Sequence, residues 1–315
     1  MNESFFERPI LNSPYAKPRF YHPLDEHGQP LGLSPVEGRR PSKFIVPVPA
    51  ARRRRAATQG ALPLETYSDS AIVNEIRGHV DAWRGLPGGA DWGVTPTTQR
   101  LLEQWRSSDF AGQRPFFCQI EAIETLIWLT EVARGRRQYA HLWRSIHAAN
   151  AEANPELVRL ALKMAKGAGK TTVMAMVIAW QTLNAVRTPN SDRFSRAFLI
   201  VTPGITIRDR LQVLYPEHPE NYYRARELLP NDMLGDIAKA VIVITNYHSF
   251  QRRETLGLSR VGRAFLTGNA PEPIESRQTY GQMLNDACGK LLSFKNVVVL
   301  LLPATGALRG GEARS

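Results

Sequence analysis

Two hydrophobic rhythms divide this chain. From about Leu64 to residue 150 the apolar positions recur every three or four residues, the period of helices with one buried face. SDSAIVNEIRGHVDAW sets Ile72, Ile76, Val80 and Trp83 on one stripe behind Ser and Asp capping residues. TPTTQRLLEQWR starts a second helix, with Thr95 or Thr97 as its cap and Pro96 in the first turn. FCQIEAIETLIWLTEVARG predicts the strongest helix. Ile120, Ile123, Leu126, Ile127 and the Leu129–Thr130 pair cover one broad face, and Gly135 closes it. GLPGGADWGVTP, between the second and first of these, reads as loop.

From about Leu157 the rhythm changes to short apolar runs separated by helical stretches. LVRLALKM, RAFLIVT, KAVIVIT and KNVVVLLL predict four buried strands, TTVMAMVIAWQTLNAV a long helix and ITIRDRLQVLY a short one. Strands that are apolar throughout belong to sheets covered on both faces, and strands separated by helices pair in parallel. The predicted fold class is therefore α/β with a mostly parallel sheet, over roughly 157–302. The polar stretch from Gln251 to Tyr280, with scattered Gly and Pro, reads as a loop-rich insertion.

The first 63 residues follow neither rhythm. They hold 10 of the 22 prolines and a net charge of +5, including the run Arg52 to Arg55. Proline at that density blocks helices and ladder pairing, so the segment reads as an extended Pro/Arg-rich arm with one short strand at KFIVPV. Its arginines either touch phosphate or form a solvated basic linker. The chain as a whole carries +11, which favours a polyanionic partner, but nearly half of that excess sits on the arm. Cys118 and Cys288 lie 170 positions apart and cannot make a zinc quartet or a disulfide framework. They fit a reducing compartment, with two buried thiols as the default. MNESFFERPI lacks the pattern of a secretory leader and VVVLLLP is too short to span a bilayer, so a cytoplasmic location is expected, with no membrane partner.

The chemistry is concentrated in KMAKGAGKTT, Lys163 to Thr172. A phosphate-binding loop needs glycines to turn successive N–H groups inward, a lysine to neutralise phosphate, a hydroxyl for Mg²⁺, and a helix N-terminus behind them. Gly167, Ala168 and Gly169 supply the turn, Lys170 the cation and Thr171 the hydroxyl. The pattern G-x-x-x-x-G-K-[ST] is met except at its first position, which is Met164. An apolar run leads into the loop and an apolar helix leaves it, as the motif requires.

MAKGAGKTT resembles motif I of superfamily 2 helicases and translocases, and the wider run resembles the restriction (Res) subunit of type III restriction enzymes. RPFFCQIEAIETLIWLTEV is similar to the segment before motif I in that group, FLIVTPGITIRDRL to its motif Ia, and VIVITNYHSFQRRE to its next nucleic-acid motif. The likeness runs from about Asp91 to Leu300. It implies an incomplete RecA-like P-loop motor domain that uses ATP and Mg²⁺, contacts double-stranded DNA, and in full-length relatives works with a modification methyltransferase (Mod) subunit. Carried onto this sequence, it assigns adenine recognition to Gln119 and nucleotide binding to Gly167, Ala168, Gly169, Lys170, Thr171 and Thr172, with Thr171 on the metal. Thr202, Pro203, Gly204, Arg208, Thr245 and Asn246 become DNA-backbone contacts, with Arg210 beside them. Each of these follows a strand end, where open α/β sheets hold their ligands. Lys166 departs from the family's usual threonine; it either adds phosphate attraction or crowds Lys170.

The larger departure follows the last strand. The family places D-E-x-H there, whose carboxylates hold Mg²⁺ and orient the attacking water. Here FKNVVVL, ending at Leu300, runs into LLPATGALRGGEARS, with no Asp or Glu before Glu312. No catalytic residue is assigned. The layout expected is an arm over 1–63, a helical lead-in with a Q-motif-like segment over 64–150, a partial RecA-like domain over 151–300 and an aberrant tail over 301–315. That tail reads as out of frame, and the chain as a truncated Res subunit. The function expected is an ATP- and DNA-binding helicase or translocase portion with impaired turnover. The alternative is a non-catalytic nucleotide- and DNA-binding module, or a non-functional remnant. TPGITI and ITNYHSF argue against a P-loop kinase.

Overall fold

The computed structural model describes residues 9–25, 28–42, 68–107, 109–153, 158–250 and 279–302. These fall into two compact units, one within 1–108 and 114–173, the other within 109–113 and 174–315. Arg52 to Arg55, the KFIVPV strand, most of the insertion after Gln251 and the tail from Pro303 lie outside the described residues.

The first unit is mainly helical. Near its start β1 (Phe20–Tyr21) pairs antiparallel with β2 (Val36–Glu37). Helices α1 (Ser68–Arg84), α2 (Pro96–Arg106), α3 (Phe117–Ile127) and α4 (Ala140–Ala153) follow. Thr95 is the cap of α2: its hydroxyl oxygen accepts from the Thr98 N–H at 3.0 Å, and Pro96 sits at the first helical position, where a missing N–H costs nothing. Beyond Ile127 the third helix widens into a π-helical turn over Trp128–Ala133, and Gly135 ends it at φ 81°. That turn carries Glu131, whose carboxylate accepts from the Thr95 N–H at 3.0 Å and the Thr98 hydroxyl at 2.7 Å.

A buried ion cluster joins α1, α2 and α3. Glu124 is fully buried and accepts from Nε of Arg84 and Nε of Arg106, each at 2.7 Å. The Arg106 guanidinium also lies 4.4 Å from the centre of the Trp92 ring, and Arg84 lies 5.0 Å from that of Phe117. The N-terminal stretch is tied to the same helices: Lys17 pairs with Asp81 at 2.8 Å, Arg39 pairs with Glu121, and the Phe117 N–H donates to the Pro14 carbonyl at 2.8 Å. Burial tends to raise the Asp81 carboxyl, but bonds from Lys17 and Arg84 outweigh it and hold the group below the usual carboxylate range.

Helix α5 (Lys170–Arg187) opens in the first unit and continues into the second. Every residue from Thr172 to Asn184 is buried, as expected of a helix apolar on all sides. Its end is held by Arg187, whose Nε donates to Asp236 at 2.9 Å. The second unit continues through β3 (Ala197–Thr202), α6 (Ile205–Arg210), α7 (Tyr222–Ala225), α8 (Leu234–Ile237), β4 (Val241–Asn246), α9 (Tyr280–Cys288) and β5 (Val298–Leu301). The three strands form a parallel sheet in the order β4-β3-β5, with Ala197 opposite Val241 and Phe198 opposite Val298. Cys288 and Leu291 pack on the sheet face that carries Ala197, Leu199, Val241 and Val243. β5 alternates half-buried and exposed positions, with Leu301 59% exposed, so its outer side is uncovered among the described residues.

Two expectations need correction. LVRLALKM is not a strand: residues 158–164 join no sheet, and Val158 is 51% exposed. Asn150 engages that backbone instead. Its Oδ1 accepts from the Arg159 N–H at 2.8 Å and its Nδ2 donates to the Arg159 carbonyl at 3.0 Å, occupying groups a neighbouring strand would use. The sheet accordingly has three described strands, not four. Cys118 is exposed near the start of α3, and only Cys288 is a buried thiol.

Candidate functional site

The loop ahead of α5 is built from a turn that only glycine adopts readily. Gly167 and Gly169 take φ 81° and 74°, in the left-handed region. The Ala168 N–H donates to the Ala165 carbonyl at 3.3 Å, and the Thr172 N–H to the Gly169 carbonyl at 2.9 Å, so the chain enters the helix directly from the turn. Among the described residues, no backbone carbonyl accepts from the N–H groups of Gly167, Gly169, Lys170 or Thr171. Donors of this kind at the head of an 18-residue helix, with the helix dipole behind them, favour an anion. Lys170 folds back, and its Nζ donates to the Ala165 carbonyl at 2.8 Å. Thr171 is half-buried and Thr172 buried.

Gln119 reaches this loop from α3. It is 3% exposed, and both ends of its amide are engaged. Oε1 accepts from the Phe116 N–H at 3.1 Å, capping the helix, while Nε2 donates to the Ala168 carbonyl at 3.0 Å. Packing here is close enough that a Cβ on Gly169 would overlap the Gln119 amide. The structure thus brings Gln119 together with Ala168, Gly169 and Lys170 in the first unit.

In the second unit, the loop after β3 and the end of β4 meet at one hydroxyl. Thr202 is 1% exposed, and its Oγ1 lies 3.0 Å from the Gly204 carbonyl and 3.3 Å from that of Thr245. Pro203 and Gly204 are half-buried between β3 and α6. Arg208 is bound to Asp209 at 3.1 Å, whereas Arg210 is exposed and has no ion-pair partner among the described residues. Asn246 Oδ1 accepts from the Ser249 N–H at 3.0 Å and faces the Ser249 hydroxyl at 3.1 Å, which closes the turn over Tyr247–Phe250. Thr245 is buried. Sequence reasoning passed over Tyr247, an exposed aromatic directly after the β4 end; the only signal for it was its position.

Fold and site define an α/β protein with loops at the ends of parallel strands and a glycine turn opening a long helix. The model of one family, "Type III restriction enzyme, res subunit", matches residues 114–287, more than half of the chain. The chain belongs to that family. No curated protein and no solved structure matches it. The matched span takes in Gln119, the glycine loop, β3 and β4. Among the described residues, no helix is long and apolar enough to cross a membrane.

Proposed function

We propose that the chain is an ATP- and DNA-binding, helicase-like portion of a type III restriction-enzyme Res subunit. The observation that carries this reading is the loop at the head of α5: four backbone donors without backbone acceptors, two left-handed glycines and a lysine parked on a carbonyl it can leave. On binding ATP, the N–H groups of Gly167, Gly169, Lys170 and Thr171 cradle the phosphates, the Ala168 N–H joins them by leaving the Ala165 carbonyl, and Lys170 Nζ exchanges that carbonyl for a phosphate oxygen. Thr172 anchors the first helical turn. The Thr171 hydroxyl suits Mg²⁺, which would neutralise charge between the phosphates. Gln119 reads adenine through the second N–H and second lone pair of its amide, whose bond to the Ala168 carbonyl holds it beside the loop.

DNA meets the loops after β3 and β4. Thr202 acts by holding Gly204 and Thr245 in place, since its hydroxyl is buried; Pro203 shapes that loop, and Arg208, Arg210 and Asn246 supply donors to backbone phosphate. Double-stranded DNA and a Mod subunit are the partners the family implies. Turnover is weak in this reading, because no carboxylate follows β5 before Glu312. That same observation favours the second reading, a module that binds nucleotide and DNA without catalysis. Measuring ATP hydrolysis with and without duplex DNA separates them. Slow but DNA-dependent hydrolysis is expected; binding without any turnover favours the module, and vigorous DNA-stimulated turnover contradicts the impairment.

A further inference from the structure

No side-chain acceptor stands at the N-cap of α3, the helix that carries Gln119. The N-cap residue is Phe116, whose ring cannot accept, so the N–H of Phe117, the first helical residue, needs a partner from elsewhere. Pro14 supplies it, its carbonyl accepting that N–H at 2.8 Å. Pro14 sits on a loop that Asn12 closes. The Asn12 Oδ1 accepts from the N–H groups of Arg19 and Phe20 at 2.7 and 3.0 Å, and its Nδ2 donates to the Phe20 carbonyl at 2.7 Å. Next to Pro14, the Tyr15 ring packs on the Phe116 ring with the centroids 5.5 Å apart, and the Arg114 guanidinium lies 4.4 Å from the Tyr15 ring centre. Further along the same stretch, Arg39 pairs with both carboxylate oxygens of Glu121. The N-terminal stretch therefore grips residues 114, 116, 117 and 121, on both sides of Gln119. Pro14, Tyr15 and Arg39 all precede the span that the family model matches, 114–287.

We propose that this N-terminal loop is a positioning element of the nucleotide site, anchored by Tyr15: it fixes the start of α3 and with it the amide that selects adenine. The inference rests on the reading that Gln119 recognises adenine, and adds the residues that hold Gln119 in place. Gln119 is the third residue of α3, in the turn whose N–H groups lack intrahelical partners. An amide discriminates between bases only when its donor and acceptor are held in one orientation. Oε1 of Gln119 is oriented by the Phe116 N–H, so it stays in place only while Phe116 does. Pro14 and Tyr15 fix Phe116 and Phe117, and Arg39 fixes the following turn at Glu121. The glycine loop has its own turn, closed by Ala165 and Gly169 carbonyls, so the grip acts on the base end of the nucleotide and not on its phosphates.

The test measures binding of Mg-ATP and of Mg-GTP, which carries the same phosphates and sugar on another base, to the full chain and to its Tyr15→Ala, Tyr15→Phe and Arg39→Gln variants. The parent chain is expected to prefer ATP. Y15A is expected to weaken ATP binding about 3- to 10-fold, the range for losing one aromatic pair, and to leave GTP binding within about twofold. Y15F keeps the ring and is expected to stay within about twofold of the parent on both nucleotides. R39Q cuts the other side of the grip without touching Tyr15, and the same ATP-selective loss is expected of it; it carries the test if Y15A does not fold. Equal losses on ATP and GTP in these two variants, no loss on ATP, or a Y15F loss as large as that of Y15A would overturn the proposal. A parent chain that binds GTP as tightly as ATP overturns it too, while leaving the phosphate-binding reading of the loop intact. Binding to neither nucleotide removes both.

Discussion

Gly169 carries two independent constraints at one position. Its φ of 74° is strained for any residue with a side chain, and a Cβ would run into the Gln119 amide. Gly169→Ala is therefore expected to lower stability by about 1–3 kcal/mol and to displace Gln119 from Ala168. ATP affinity should fall with it, which a nucleotide titration of the variant measures; unchanged affinity would show that the loop tolerates another shape. The two glycines were legible in the sequence, because a left-handed turn demands that residue type. The grip of Gln119 on the loop was not. It depends on two segments 49 residues apart, with the amide oxygen used for a helix cap and the nitrogen for Ala168. Thr202 shows the same limit: its position after a strand was readable, but not that its hydroxyl would turn inward to two carbonyls.

At the scale of elements, α1, α2 and α3 are held by a buried acid that the hydrophobic pattern does not announce. Glu124 is fully buried between Arg84 and Arg106, both ion pairs closing three helices on one carboxylate. Removing it leaves two guanidinium groups largely buried without their partner. Glu124→Ala is expected to destabilise the first unit by about 3–5 kcal/mol in a denaturant titration; a loss below about 1 kcal/mol would mean the arginines find other partners or water. The apolar spacing placed these helices correctly and found Val80, Trp83, Ile123 and Ile127 in the core. Hydrophobic pattern is silent about a buried charge, however, because the signal for it lies in the partners and not in the period. The same blindness explains LVRLALKM. Its composition suits a strand, but a strand exists only through a ladder, and Asn150 takes the Arg159 groups that a ladder needs.

The whole molecule consists of a helical unit and a parallel-sheet unit, with α5 running from the glycine loop of the first into the second. The order of apolar runs gave the α/β class, and three of the four expected strands formed in parallel as their spacing required. Net charge said less: +11 suits a polyanion, but charge alone does not choose among surfaces. Motif order proved more informative, since the family match spans the loop and both strand-end segments together. The central claim is that this loop holds the phosphates of ATP, and calorimetric titration of Mg-ATP into the full chain and into Lys170→Ala tests it most directly. Saturable binding by the parent chain, weakened about 10- to 100-fold in K170A, is the result expected from losing one charge-assisted bond to phosphate. Absence of saturable binding, or K170A binding as tightly as the parent, would contradict it.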